Sequence, residues 1–171
     1  MQVRALRRQP ECGIAYGITR LIDEAGREVE SPYKGTGEKR DALLPWLLNH
    51  RWWNTHTPLY RRSLCEQLGP WSDMRNYEDW EYDARAAGMG VVLAYCPEPV
   101  SCHRDHAQGR LTRQGYTRSI VKDEVRLVRA LFRNALEADV DMGCPQMQKF
   151  SHRAFLTARR ADAFRLREGA R

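Results

Sequence analysis

Apolar residues recur in the last third of the chain at Val121, Val125, Val128, Phe132 and Leu136, intervals of four, three, four and four that trace one face of a helix. The spacing predicts an amphipathic helix over 117–138. Met147, Phe150, Ala154, Ala158 and Ala161 sketch a second helix with a strongly basic opposite face, and Gly143-Cys144-Pro145 supplies the turn of a helical hairpin. Upstream the pattern changes. CGIAYGITRLID (12–23) is rich in β-branched and aromatic residues and runs into the Asp and Gly of DEAGRE, so a strand and a turn are expected. GVVLAYCPEPV (90–100) is a continuous apolar run bounded by Pro97, the pattern of a short strand buried on both faces of a sheet.

Shorter elements fill the intervals. Met1 to Arg8 carries Val3 and Leu6 at helical spacing before Pro10, and residues 31–40 read as a polar loop. DALLPWLLNH (41–50) reads as an apolar helix with Pro45 in its first turn, where the missing N–H costs nothing. The stretch 52–71 begins extended and becomes a short helix from Ser63 to Leu68, stopped by Gly69-Pro70; Trp80 to Ala87 is another, closed by Gly88. Strands and helices alternate, which makes the class α/β.

With 171 residues, 42% of them hydrophobic, the chain can bury one core and is short for two ordinary domains. No apolar run approaches the roughly 18 residues of a membrane span, and MQVRALRRQP lacks the apolar stretch of a signal peptide, so a cytoplasmic address is expected. The five cysteines are odd in number and irregularly spaced, which suits reduced thiols. The net charge of +6 is uneven: from Met142 onward seven Lys/Arg face two Asp/Glu, leaving the rest nearly neutral. A basic tail without a basic, aromatic-interleaved stripe in the body argues against specific nucleic-acid recognition. Such a tail suits weak contact with the inner face of a membrane or with acidic partners, and equally a solvated helix face.

Glu78 and Asp79 stand just before Trp80 and a short helix. One reading is structural: Asn76 caps the helix, an acid three residues on completes a capping box, and the acids favour the positive helix end. The other places a carboxylate at the mouth of a cleft as a general base.

The surrounding residues carry a resemblance. Leu59-Tyr60-Arg61-Arg62-Ser63, Leu68-Gly69-Pro70-Trp71, Glu78-Asp79-Trp80, Arg85 to Gly88, Val91 to Tyr95 and Arg104-Asp105-His106 follow in order. This series resembles the acceptor-side half of family 2 glycosyltransferases with the nucleotide-diphospho-sugar transferase (GT-A) fold. YGITRLIDEAGREV is similar to the family's strand and D-x-x-G turn, so the resemblance covers residues 1–110, with 111–171 a C-terminal helical extension. It implies a partial GT-A mixed sheet and transfer of a sugar, with inversion, from a nucleotide-diphospho-sugar to a glycan, lipid-linked or small-molecule hydroxyl, as in polysaccharide biosynthesis. It implies Asp79 as catalytic base, Glu78 at the acceptor or supporting the loop, Trp80 packed behind it, and Arg104 on the substrate side. His106 would join a divalent metal, Mg²⁺ or Mn²⁺, in the complete enzyme, or serve as a structural loop histidine. Trp52 and Trp53 are core residues, or one of them, Trp53, stacks on a sugar ring.

The family opens with a nucleotide-binding half ending in an Asp-x-Asp metal motif, and MQVRALRRQP resembles the stretch after that motif. The expectation is that this chain alone binds neither metal nor nucleotide-sugar, is inactive by itself, and has a separate nucleotide-binding half as partner. A non-catalytic acceptor-binding or accessory module is the alternative, and a membrane-surface adaptor a third. Asp139-Val140-Asp141 lies at a helix end with no strand before it, HRD (103–105) lacks the rest of a kinase site, and Cys96, Cys102, His103 and His106 lack zinc-finger spacing.

Overall fold

In a computed structural model of the chain, residues 1–105 and 115–166 are described, and they form two compact units. Residues 1–43, 51–69 and 90–105 make up the first; residues 44–50, 70–89 and 115–166 make up the second. The two units interleave along the chain. The class is mixed α/β, with a four-stranded sheet and five α-helices among the described residues.

The first unit is built on β1 (Cys12–Ile22). One edge of β1 pairs in parallel with β4 (Val92–Arg104) along its whole length. The other edge is shared by two short antiparallel partners, β2 (Glu28–Glu30) and β3 (Leu59–Tyr60). Ile14, Ala15 and Tyr16 are fully buried in succession, as befits a central strand covered on both faces. Helix α1 (Gln2–Arg8) packs Leu6 against Cys12, Ala15 and Ala94, while Tyr16 meets the rings of Trp52 and Trp53. The expected turn after β1 is present: the Gly26 N–H donates to the Asp23 carbonyl at 3.0 Å, with Gly26 at a φ of +84°. Helix α2 (Arg62–Leu68) ends at Gly69, where φ is +72°.

Strand β4 does not stop at Pro97. Gly17 pairs with Cys96 and Ile18 with Pro99, so Pro97 and Glu98 stand out of register in a bulge. Proline has no N–H to give a ladder, and the bulge removes Pro97 from it. Gly17 makes this possible, because a Cβ there would lie 2.7 Å from the Cys96 carbonyl oxygen and 2.9 Å from that of Glu98. Only Leu93, Ala94 and Cys96 are buried; burial on both faces ends where the strand was expected to end.

The second unit holds α3 (Glu78–Gly88), α4 (Arg118–Glu137) and α5 (Pro145–Ala163). Residues 41–50 do not form the expected helix; only a 3₁₀ turn, Trp46–Leu48, is present, with Leu47 and Leu48 buried. Proline disfavours the helical conformation at the residue before it, so no helix runs through Leu44 into Pro45, and few residues remain after it. The hairpin forms as the sequence suggests. Cys144 caps α5 through its Sγ, which accepts the Met147 N–H at 3.4 Å, and Pro145 occupies the first turn. Asp139 and Asp141 belong to the intervening turn, where Asp141 Oδ1 accepts the Gly143 N–H at 2.8 Å.

Helix α4 is rotated relative to its apolar periodicity. Of the five marked positions only Val121 is buried, while Phe132 and Leu136 are 44% and 54% exposed. The buried face is Asp123, Glu124, Leu127, Ala130, Leu131, Asn134 and Ala135. Its two acids and one amide have internal partners, and their polarity hides the face from a hydrophobic pattern. All five cysteines are free, and no helix among the described residues is long and apolar enough to cross a membrane.

Candidate active site

The acids of the Glu78-Asp79-Trp80 motif occupy the first turn of α3. The capping box does not form. Tyr77, not Asn76, is the residue ahead of the helix, in the left-handed conformation with φ +67°, and no side chain caps the first turn. Asn76 is otherwise engaged: its backbone N–H and that of Arg75 donate to Asp123 Oδ2 at 3.2 and 3.1 Å. Arg126 reinforces the same loop with a 2.6 Å ion pair to Asp73, and holds that exposed carboxyl below its usual range. A carboxylate from α4 therefore fixes the approach to the motif. Glu78, Asp79 and Glu81 still lie in the first turn, where the helix end favours negative charge.

Trp80 is held on two sides. Its indole N–H donates to the Leu47 carbonyl at 3.0 Å, and the Arg153 guanidinium of α5 lies 4.3 Å from the ring centroid. Burial lowers the pKa of Arg153, and its Nε is buried with no hydrogen-bond acceptor among the described residues. Arg160, two helical turns further along the same face of α5, makes a bidentate pair with the buried Glu124 at 2.7 and 3.0 Å and covers the Tyr116 ring at 4.7 Å. Burial, then the Glu124 carboxylate, push the Tyr77 phenol up. Two arginines of the basic α5 face, read from the sequence as a contact for acidic partners or a membrane surface or as a solvated face, thus lie inward, around the residues that precede and follow the acid pair.

Other motif elements have structural partners that explain their company. Arg85 donates to the Pro70 carbonyl at 2.9 Å, pairs with Glu81 at 3.0 Å and covers Tyr82, on which Trp71 stacks at 5.3 Å. The Pro70-Trp71 and Arg85 elements are therefore bound to each other. Gly88 is required by the crossing of α3 and α4, since a Cβ there would fall 2.1 Å from Asn134 Oδ1. In the first unit Arg61 donates to the carbonyls of Cys12 at 2.7 Å, Gln9 at 3.0 Å and Leu6, tying β3 to the end of α1.

The structure brings Glu78, Asp79 and Trp80 together on one helical turn, the two acids half-buried. Trp53 belongs to the first unit and is fully buried against Tyr16 and Trp52, at 5.1 and 4.6 Å between ring centroids. It is a core residue, and the sugar-stacking role proposed for it has no exposed ring face to use. Arg104, also in the first unit, donates to the carbonyls of Asp23 and Glu24 at 3.0 and 2.9 Å and pins the end of β4 to the β1–β2 turn. His106 lies outside the described residues. Among the described residues no three His, Cys, Asp or Glu side chains gather to hold a metal ion.

Tyr77, Asp123, Arg153 and the Glu124–Arg160 pair were not legible beforehand. The one available signal was the placement of Asp123 and Glu124 beside Leu127 and Leu131, charges on what proves to be the inner face. By fold and site this is a mixed α/β protein with an acid pair at a helix start, backed by a tryptophan and two inward arginines. No protein-family model matches the chain, and neither a curated protein nor a solved structure does.

Proposed function

We propose that the chain is the acceptor-side part of a family 2 glycosyltransferase, with Asp79 as the base that takes the proton of an acceptor hydroxyl. The observation that carries this reading is the position of the acid pair. Glu78 and Asp79 head α3, half-buried, behind a loop fixed by Asp123 and in front of a tryptophan held by Leu47 and Arg153. A general base needs a carboxylate kept in one place with a path to solvent, and rigid anchoring on both sides supplies the first requirement. In the reaction, the acceptor oxygen attacks the anomeric carbon as its proton passes to Asp79, and the nucleoside diphosphate leaves. A divalent metal, held by a nucleotide-binding half, would neutralise the charge developing on that diphosphate.

A transfer assay tests this: the chain, joined to a family 2 nucleotide-binding half carrying Asp-x-Asp, is given nucleotide-diphospho-sugars and hydroxyl acceptors. Product of inverted anomeric configuration is expected, and its absence across the panel contradicts the proposal. The alternative is a non-catalytic acceptor-binding or accessory module. Saturable glycan binding by the chain without transfer in the joined protein would select that alternative.

A further inference from the structure

Along the α4–α5 hairpin runs a groove of about 970 Å³. Val125 and Val128 of α4 and Ala154, Ala158 and Ala161 of α5 line it, with Leu166 just past the end of α5. Arg118, Lys122 and Arg129, all exposed, belong to its α4 side, and Asp162 to its α5 side. The apolar lining belongs to the face that the periodicity of α4 marks for burial, yet Val125 and Val128 are only half-buried. Amphipathic helices carry such a face to cover it.

Shape and charge together define what fits. Three alanines stand on the α5 wall beside Thr157 and Asp162, and their small side chains let another helix axis come close. The lining carries three cations against one carboxylate, so a second copy offering the same face would set like charges against each other. We propose that the groove receives an amphipathic helix of a partner protein, apolar on its inward face and flanked by acidic residues. The proposal is independent of the glycosyltransferase reading.

The test is fluorescence anisotropy of the full chain with two labelled synthetic helices sharing one leucine seam, one flanked by glutamates and the other by lysines. The glutamate helix should bind at least about 10-fold more tightly than the lysine helix and weaken as salt is raised. Lys122→Glu with Arg129→Glu, two exposed changes, should abolish that preference. Ala158→Phe, filling the groove from an exposed position, should weaken binding by about 10-fold with the circular-dichroism spectrum unchanged. Failure of both helices to bind, equal binding of the two, or a preference that survives the charge reversal overturns the proposal. So does a dimer seen by analytical ultracentrifugation, or co-sedimentation with phosphatidylserine vesicles, that Ala158→Phe abolishes, since the groove would then serve a second copy or a membrane.

Discussion

The Glu124 carboxylate is 3% exposed and answered by the Arg160 guanidinium through two hydrogen bonds. Removing one member of such a pair leaves a buried charge alone, while removing both leaves nothing to solvate. Arg160→Met should therefore cost about 3 kcal/mol in chemical denaturation, and adding Glu124→Met should recover most of that loss. If the single change costs no more than the double, the pair is not the internal contact described. Gly88 makes a similar demand by shape. Gly88→Ala places a methyl on Asn134 and should cost about 1–3 kcal/mol, and Asn134→Ala in the same chain should remove much of that penalty. Additive losses would mean that Asn134 is not the obstacle. At this scale the sequence showed the acid pair, because two adjacent carboxylates before a tryptophan are conspicuous. Arg153 and Tyr77 were hidden: nothing local distinguishes an arginine that turns inward, or a tyrosine that adopts a left-handed conformation.

Elements with one simple cause were legible: β1 from its β-branched and aromatic run, α2 from its glycine stop, the α4–α5 hairpin from its period and its Gly-Cys-Pro turn. Those with two competing causes were not. In 41–50 apolar content favoured a helix and Pro45 forbade its start. In β4 Pro97 argued for an ending, but a bulge opposite Gly17 carried the pairing on to Arg104. In α4 the apolar stripe and the buried face differ, because the buried face includes charges whose partners lie far away in sequence. Gly17→Ala tests the bulge. Its methyl would press on two backbone carbonyls that cannot move aside as a side chain can, so a loss of about 3 kcal/mol is expected. Hydrogen exchange should show β1 and the far half of β4 losing protection together; unchanged protection there would contradict the register.

Across the whole molecule, burial acts in one direction on several weak acids. Desolvation pushes up the thiols of Cys12 and Cys96 and the phenols of Tyr77 and Tyr95, and carries Tyr16 up to about 12. The folded chain keeps protons that the unfolded chain releases, so this contribution to stability is complete below the unfolded values and is lost as pH rises. Stability should begin to fall near the ordinary cysteine value of 9.0 and continue through about 12. Tyr16→Phe should be less stable at neutral pH, since the Glu38 carbonyl and Arg40 N–H lose their partner, but should show a shallower decline above pH 10, the ordinary tyrosine value. A steeper decline in the variant would reverse the sign assigned to Tyr16.

The family resemblance spans residues whose structural reasons differ. Arg61, Arg85 and Gly88 serve packing, and the acid pair heads α3. Asp83, one turn along α3, is fully buried, so Asp83→Asn disturbs the interior and makes a poor control. Asp139→Asn is a better one, because Asp139 is exposed in a turn at a positive φ that asparagine accepts. The most direct measurement is turnover of the joined protein with Asp79→Asn, beside Asp139→Asn, with denaturation midpoints recorded for both. A fall of about 10²- to 10⁴-fold for Asp79→Asn alone, at an unchanged midpoint, is the result expected of a positioned base. Near-full turnover, or a loss of activity that tracks a loss of folding, would contradict it and leave the acid pair as the start of a helix.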